Sequence, residues 1–214
     1  MDICVPACNL ATSQVQRFLR CLSNCVGLNL VTIGGIVVKR IMIIGGHGAG
    51  KTTLALKLGE ITGLPVVHID RFYHLPRWKK RPQKTAIAEI ESHANTERWI
   101  MDGDDFRSFA PRLKRTDMII YLHVSTLRRV ARVFKRAIKS FDKPRVDLPD
   151  GCRGKFSLNS LKWAAFGYPM KMRPAMHKAM AEVAGEIPIV HLRSESDVLE
   201  LELRLKTGQP HSGG

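Results

Sequence analysis

Acidic side chains are scarce in this chain: 19 Asp and Glu stand against 34 Lys and Arg in 214 residues, a formal net charge of +15. Long apolar runs are missing too. A membrane span needs about 18–20 apolar residues, and the best stretch, Val26 to Val38, is interrupted by Asn29 and Thr32. No membrane partner is expected. Cysteine is nearly absent from the body: Cys4, Cys8, Cys21 and Cys25 crowd the N-terminal end, and only Cys152 lies beyond them. A single body thiol suits a reducing cytosol, so a cytoplasmic protein is expected. The two C-x3-C pairs lack the shorter knuckles and supporting turns of structural zinc sites, and the histidines show no H-E-x-x-H spacing. No zinc is expected. Nor is there a helix-turn-helix, RRM or finger signature. Hydrophobic residues at 44% and charged residues at 25% exclude a disordered, collagenous or disulfide-scaffold chain.

What is present is a localised excess of positive charge. Residues 71–84 carry Arg71, Arg77, Lys79, Lys80, Arg81 and Lys84 with no acid. Residues 128–178 carry fourteen Lys and Arg against Asp142, Asp147 and Asp150. The rest of the chain is close to neutral. Such segments attract polyanions: nucleotides, phosphorylated metabolites or nucleic acid.

The clearest motif follows a short apolar run, Ile41 to Ile44, the pattern of a strand buried on both faces of a parallel sheet. Gly45-Gly46-His47-Gly48-Ala49-Gly50-Lys51-Thr52 is a full G-x4-G-K-[ST] match, the P-loop pattern. Its glycines let the backbone turn tightly and aim successive N–H groups at phosphate oxygens. Lys51 is placed to reach the β- and γ-phosphates of ATP, and the Thr52 hydroxyl to ligate Mg²⁺. From Thr53 the chain continues as a helix whose N-terminal dipole favours the anion, ending near Gly63.

Further on, strands and helices alternate. Pro65 to Asp70, Trp99 to Gly103, Asp117 to Val124 and Ile187 to Leu192 read as strands, and Thr85 to His93 as a helix. Leu127 to Phe141 reads as an amphipathic helix with Val130, Phe134, Ala137, Ile138 and Phe141 on one side. Arg128, Arg132, Arg136 and Lys139 fall on the other side. Ser194-x-x-Asp197 caps a last helix, and Met170, Met172, Met176 and Met180 fall near helical spacing as core. Alternation of this kind means α/β with a parallel, doubly wound sheet. Ligands of such sheets bind beyond the carboxyl ends of the strands, where Asp70 and Asp102 fall.

From about Lys39 to Lys206 the chain resembles the FlaR-like DNA topology modulation proteins, a bacterial P-loop family related to adenylate kinase. The matching stretches are Ile43-Ile44-Gly45…Gly50-Lys51-Thr52, Val67-His68-Ile69-Asp70…Trp78 and Arg98-Trp99-Ile100-Met101-Asp102-Gly103. Asp117 to Leu122, Arg132-x3-Arg136, Gly151-Cys152, Phe156…Leu161-Lys162-Trp163 and Leu192-Arg193-Ser194 match as well. The resemblance implies a P-loop NTPase fold: a five-stranded parallel sheet in the order 2-3-1-4-5 between helices, with a basic helical lid at about 128–178. Asp102 resembles the acid of an Asp-Gly motif that holds Mg²⁺ through water; the alternative is an ordinary turn acid. Asp70 resembles an acid that orients or deprotonates an acceptor hydroxyl; otherwise it is a helix cap or the partner of Arg71.

Arg128, Arg132 and Arg136 resemble lid arginines that supply charge to the transferring phosphoryl group, the alternative being a solvated basic face. Arg193 would border the adenine unless its segment only caps the last helix. Trp78 and Phe72 would stack an acceptor ring, or else anchor a loop. His47, Asp104-Asp105-Phe106 and His123-Val124-Ser125 depart from the family pattern. Two functions follow. The first is an ATP-dependent kinase acting on a nucleoside monophosphate or small metabolite, with residues 71–84 gripping a small anionic acceptor. The second is a nucleic-acid-associated NTPase, in which the basic segments track a phosphate backbone with steep salt dependence.

Domains of this kind begin at their first strand, so residues 38–207 are read as the folded domain, 1–37 as a leader outside it, and 208–214 as a tail. A valine codon can start translation in bacteria, and Val38 is a natural first residue. N-terminal mass spectrometry of protein made from the native gene is expected to find a start at or near Val38. An intact Met1 contradicts this.

Overall fold

The computed structural model describes residues 31–33, 36–143, 147–154 and 157–207. Five parallel strands form its centre: β1 (Arg40–Gly45), β2 (Val66–His68), β3 (Trp99–Asp102), β4 (Met118–Leu122) and β5 (Ile189–Leu192). Side by side they run β2-β3-β1-β4-β5. Two antiparallel ribbons, Val31–Ile33 with Ile36–Val38 and His74–Leu75 with Lys79–Lys80, stand outside this sheet. The four cysteines of the N-terminal end and the 208–214 tail lie outside the described residues.

The apolar run in β1 has no polar alternation because both its faces are covered. Ile41 and Ile43 pack in one layer with Leu54, Ala55 and Leu58 of helix α1 (Lys51–Thr62). Met42 and Ile44 pack in the opposite layer with Met101, Tyr121 and Tyr168. Helix α1 starts after Gly50, at φ 101°, and stops at Gly63, at φ 67°, whose N–H donates to the Gly59 carbonyl at 2.8 Å. Left-handed glycine at a helix end is the expected stop.

Strand β2 ends two residues earlier than its apolar pattern suggests, and Asp70 opens the single-turn helix α2 (Asp70–Tyr73). Then come α3 (Gln83–Ala94), α4 (Phe109–Leu113) and α5 (Thr126–Lys139). After them come α6 (Leu158–Lys162), a π-helical stretch Trp163–Met172, α7 (Arg173–Glu182) and α8 (Glu195–Thr207). Ser194 caps α8: its Oγ accepts the Asp197 N–H at 3.1 Å, and Asp197 Oδ2 accepts the Ser194 N–H at 3.2 Å. Among the described residues, no helix is long and apolar enough to cross a membrane.

Two expectations are corrected. Helix α5 does not bury its most apolar stripe: Phe134, Ile138 and Phe141 are exposed, whereas Arg129 and Val133 are buried. The helix is turned by about one residue, roughly 100°, because its inner face meets the glycine-rich loop 45–50. A side chain at Gly48 would meet Arg129 O at 2.6 Å and Val133 Cγ2 at 2.8 Å. Nor do all four methionines at 170–180 join the core. Tyr168 and Met176 are part of the core against the sheet, as is Met180, while Met170 is exposed. Because α5 is phased on Val133, Val133→Ser is expected to cost about 2 kcal/mol and Ile138→Ser no more than about 0.5 kcal/mol. Urea midpoints of the two variants check this.

Candidate functional site

The carboxyl ends of β1, β2 and β3 converge on one cleft. Three glycines at and after the end of β1 have backbone angles that a side chain resists: φ is 148° at Gly45, 84° at Gly48 and 101° at Gly50. Gly50 leaves the start of α1 without a side-chain cap, so its first N–H groups stay available to an anion. Lys51 folds back over the loop, donating from Nζ to the carbonyls of Gly45 at 2.8 Å and Gly46 at 3.3 Å. Its Nζ also lies 3.4 Å from Asp104 Oδ1.

At the end of β3, Asp102 is buried and doubly engaged. The Thr52 hydroxyl donates to its Oδ2 at 2.8 Å, and His68 Nδ1 lies 2.5 Å from its Oδ1. Burial opposes a charge on His68, yet the hydrogen bond and charge of Asp102, helped by Asp147, leave its pKa raised. Lys51, Thr52, His68, Asp70 and Asp102 all line a cleft of about 30 Å³, room for an ion or a water. Burial, then the charge of Asp104, pushes the Asp70 carboxyl up to about 6 against the opposing pull of Lys51, with Asp102 and Asp147 adding to the rise.

Asp70, His47 and Arg136 also line a second, larger cavity of about 380 Å³ next to this cleft. Asp104, Asp105, Arg107, Tyr73, Trp78 and Trp163 form other parts of its wall. The loop that carries the two acids is held from beneath by Arg112, which is fully buried. Its guanidinium donates to the carbonyls of Ser108, Gly103 and Asp105, each at 3.1 Å. Burial lowers its pKa to about 10, so it stays charged near neutrality.

The residues singled out in the sequence are only partly brought together. His47, Gly48, Lys51, Thr52, Asp70, Asp102 and Arg136 meet at the cleft, with Arg136 Nη2 3.2 Å from His47 Nε2, whereas Gly45, Gly46, Ala49 and Gly50 shape the loop behind it. Arg132 reaches the Ala49 carbonyl at 3.4 Å and Glu195 at 3.3 Å. Arg128 and Thr53 are exposed instead. Arg193 is exposed beyond β5, its N–H bonded to Asp197, and its charge reaches the His123–His191 pair, whose ring nitrogens are 2.8 Å apart. Trp78 lines the large cavity, but Phe72 packs edge-on against His93 in a separate cavity with Arg71 and Arg81. The basic run 71–84 therefore does not line the large cavity with its cations.

Two arginines that pack against the site's loops carried no sequence signal. Arg112 sits in an unpatterned Ala-Pro-Arg stretch, and Arg129 falls between the stripes of α5. Arg129 stacks 4.6 Å from the Tyr168 ring, donates to Val124 O and Thr126 Oγ1, and leaves Nη1 buried without a hydrogen-bond partner. That Nη1 lies 2.5 Å from where a side chain at Gly46 would begin. It adds a fixed positive charge behind the loop.

The oxygens of Thr52 and Asp102 are hard donors that suit Mg²⁺, which commonly takes one or two protein ligands and completes its shell with phosphates and water. Among the described residues, no three His, Cys, Asp or Glu side chains form a metal cage. No protein-family model and no curated protein sequence matches the chain.

The Asp70 environment has a measurable consequence. Its pKa of about 6 in the folded state exceeds the unfolded value of 3.8, so between these values the native state holds the extra proton. Stability falls as pH rises through that window. Asp70→Asn is expected to gain on the native chain by about 2–3 kcal/mol from pH 4 to pH 7, read by urea denaturation at both pH values. A pH-independent difference contradicts the assignment.

Proposed function

We propose that this protein is an ATP-dependent phosphotransferase of the P-loop type, the reading also implied by its resemblance to the FlaR-like relatives of adenylate kinase. The observation that carries it is the meeting of Lys51, Thr52, Asp70 and Asp102 in one cleft at the start of α1. A glycine loop, an uncapped helix start and an ammonium beside them are what a triphosphate needs to be held. In the reaction the loop N–H groups and Lys51 bind the phosphates, and Lys51 exchanges the Gly45 and Gly46 carbonyls for phosphate oxygens. Thr52 directly, and Asp102 through water, would hold Mg²⁺, which when bound supplies charge neutralisation to the phosphates. Arg132 and Arg136 bring cationic charge to the loop from α5, and Arg129 lends its charge from behind. Asp70 stands where an acceptor hydroxyl would arrive. An ATP-consuming reaction fits a cytoplasmic setting.

Lys51→Ala is expected to lower ATP turnover by at least about 10²-fold while leaving the fold intact by circular dichroism. Turnover is measured against nucleoside monophosphates, hydroxylated metabolites and duplex DNA. Turnover stimulated only by DNA overturns the phosphotransferase reading in favour of a nucleic-acid-associated NTPase.

A further inference from the structure

The 380 Å³ cavity adjoins the cleft through Asp70, His47 and Arg136, so whatever accepts the phosphoryl group sits in it. Its charge runs against that of the chain. The strongly basic segment 71–84 contributes Tyr73, His74 and Trp78 to the wall but none of its lysines or arginines. Among the described residues, Asp70, Asp105 and Asp104, which lies 3.4 Å from Lys51 Nζ, line the cavity with two histidines, His47 and His74, and two guanidinium groups, Arg107 and Arg136. One of these, Arg107, is committed: Nε donates to Asp105 at 2.9 Å, Nη1 to Gln83 at 3.3 Å, and its plane lies 4.7 Å from the Tyr73 ring. The other, Arg136, meets His47 on the glycine-loop side. A second phosphate dianion in this cavity would face carboxylates with one guanidinium tied to an acid and the other beside the donor phosphates. Like charges at such distances work against binding.

The same wall suits hydroxyl groups. Carboxylates accept from O–H donors, and burial, then Asp105, pushes the Tyr73 phenol up to about 12, so it keeps its proton. Ser157 and Ser160 add hydroxyls, and Trp78 and Trp163 offer flat apolar faces. Trp78 is held there at a cost. Arg77 and Trp78 both adopt left-handed backbone angles, φ 61° and 60°, and the indole Nε1 donates to Arg153 O at 3.0 Å. Strain of this kind gathers where a side chain must be aimed.

We infer that the acceptor is an uncharged polyhydroxylated molecule of sugar, polyol or nucleoside size, and that Asp70 is the catalytic residue that takes its hydroxyl proton. This rests on the phosphotransferase reading above. The acceptor oxygen attacks the γ-phosphorus of ATP, a new P–O ester bond forms, and the bond to the β-phosphate oxygen breaks. The hydroxyl proton passes to Asp70 and ADP leaves with the bonding electron pair.

The test uses the full chain with ATP and magnesium against two panels, followed by ³¹P NMR and ADP release. One panel holds erythritol, ribitol, ribose, glucose, adenosine and uridine; the other holds AMP, CMP, GMP, UMP and dTMP. Transfer to a neutral compound is expected, lowered by about 10²–10⁴-fold in Asp70→Asn, with ATP affinity of that variant unchanged within about threefold by calorimetry. Phosphoanhydride formation on a monophosphate overturns the inference and leaves the phosphotransferase reading standing. So does bound ATP with no neutral compound accepting. A folded wild-type chain that fails to bind ATP overturns both.

Discussion

The Asp102 carboxylate is the interaction on which the site depends. A carboxylate buried to 4% exposure is costly unless its oxygens are satisfied. Both are: one by the Thr52 hydroxyl at the start of α1, the other by His68 at the end of β2. The group therefore ties three elements together where β1, β2 and β3 end. Its neighbour Gly103, at φ 139°, has no room for a side chain, since a Cβ there would lie 2.1 Å from Ile69 Cγ1. That close approach brings Ile69, and with it Asp70, against the turn after β3. The parallel register of β3 with both β1 and β2 sets the rest, pairing Asp102 with Ile43 on one side and with His68 on the other.

Charge is segregated in this molecule. The chain carries +15, yet the surfaces nearest the glycine loop hold Asp70, Asp102, Asp104 and Asp147. Arg132 and Arg136 reach the glycine loop from α5, and other cations are held nearby: Lys51 over loop carbonyls, Arg129 over Tyr168 and Arg112 beneath the 103–108 loop. In a concave, partly desolvated site, each fixed charge acts with more force and is screened less than at the surface. Most of the basic residues in 71–84 face solvent instead, where salt screens them.

Local signals in the sequence carried a good part of this arrangement. The strands beginning at Arg40, Trp99 and Met118 were legible because strands covered on both faces must be apolar throughout. Gly63 and Ser194 were legible because helix ends need a left-handed glycine or a side-chain acceptor. The glycine loop with Lys51 and Thr52 announced itself by spacing alone. The phase of α5 was not legible. Its apolar stripe is real, but a helix buries the face its neighbours can accept, and the glycine loop accepts Arg129 and Val133. Arg112 was invisible for a related reason: its partners are backbone carbonyls, which leave no trace in side-chain pattern.

By itself the sequence determined the α/β alternation, the position of the glycine loop and which acids stand at strand ends, because those follow from periodicity and backbone sterics over a few residues. Tertiary structure alone decided that the 71–84 cations turn away from the large cavity, that Arg129 rather than Arg128 faces the loop, and that Asp104 and Asp105 line the wall beside Asp70. These are outcomes of packing between segments far apart in the chain. Which face a helix buries and which charges a cavity collects depend on the surfaces that meet there, and no local pattern encodes both partners.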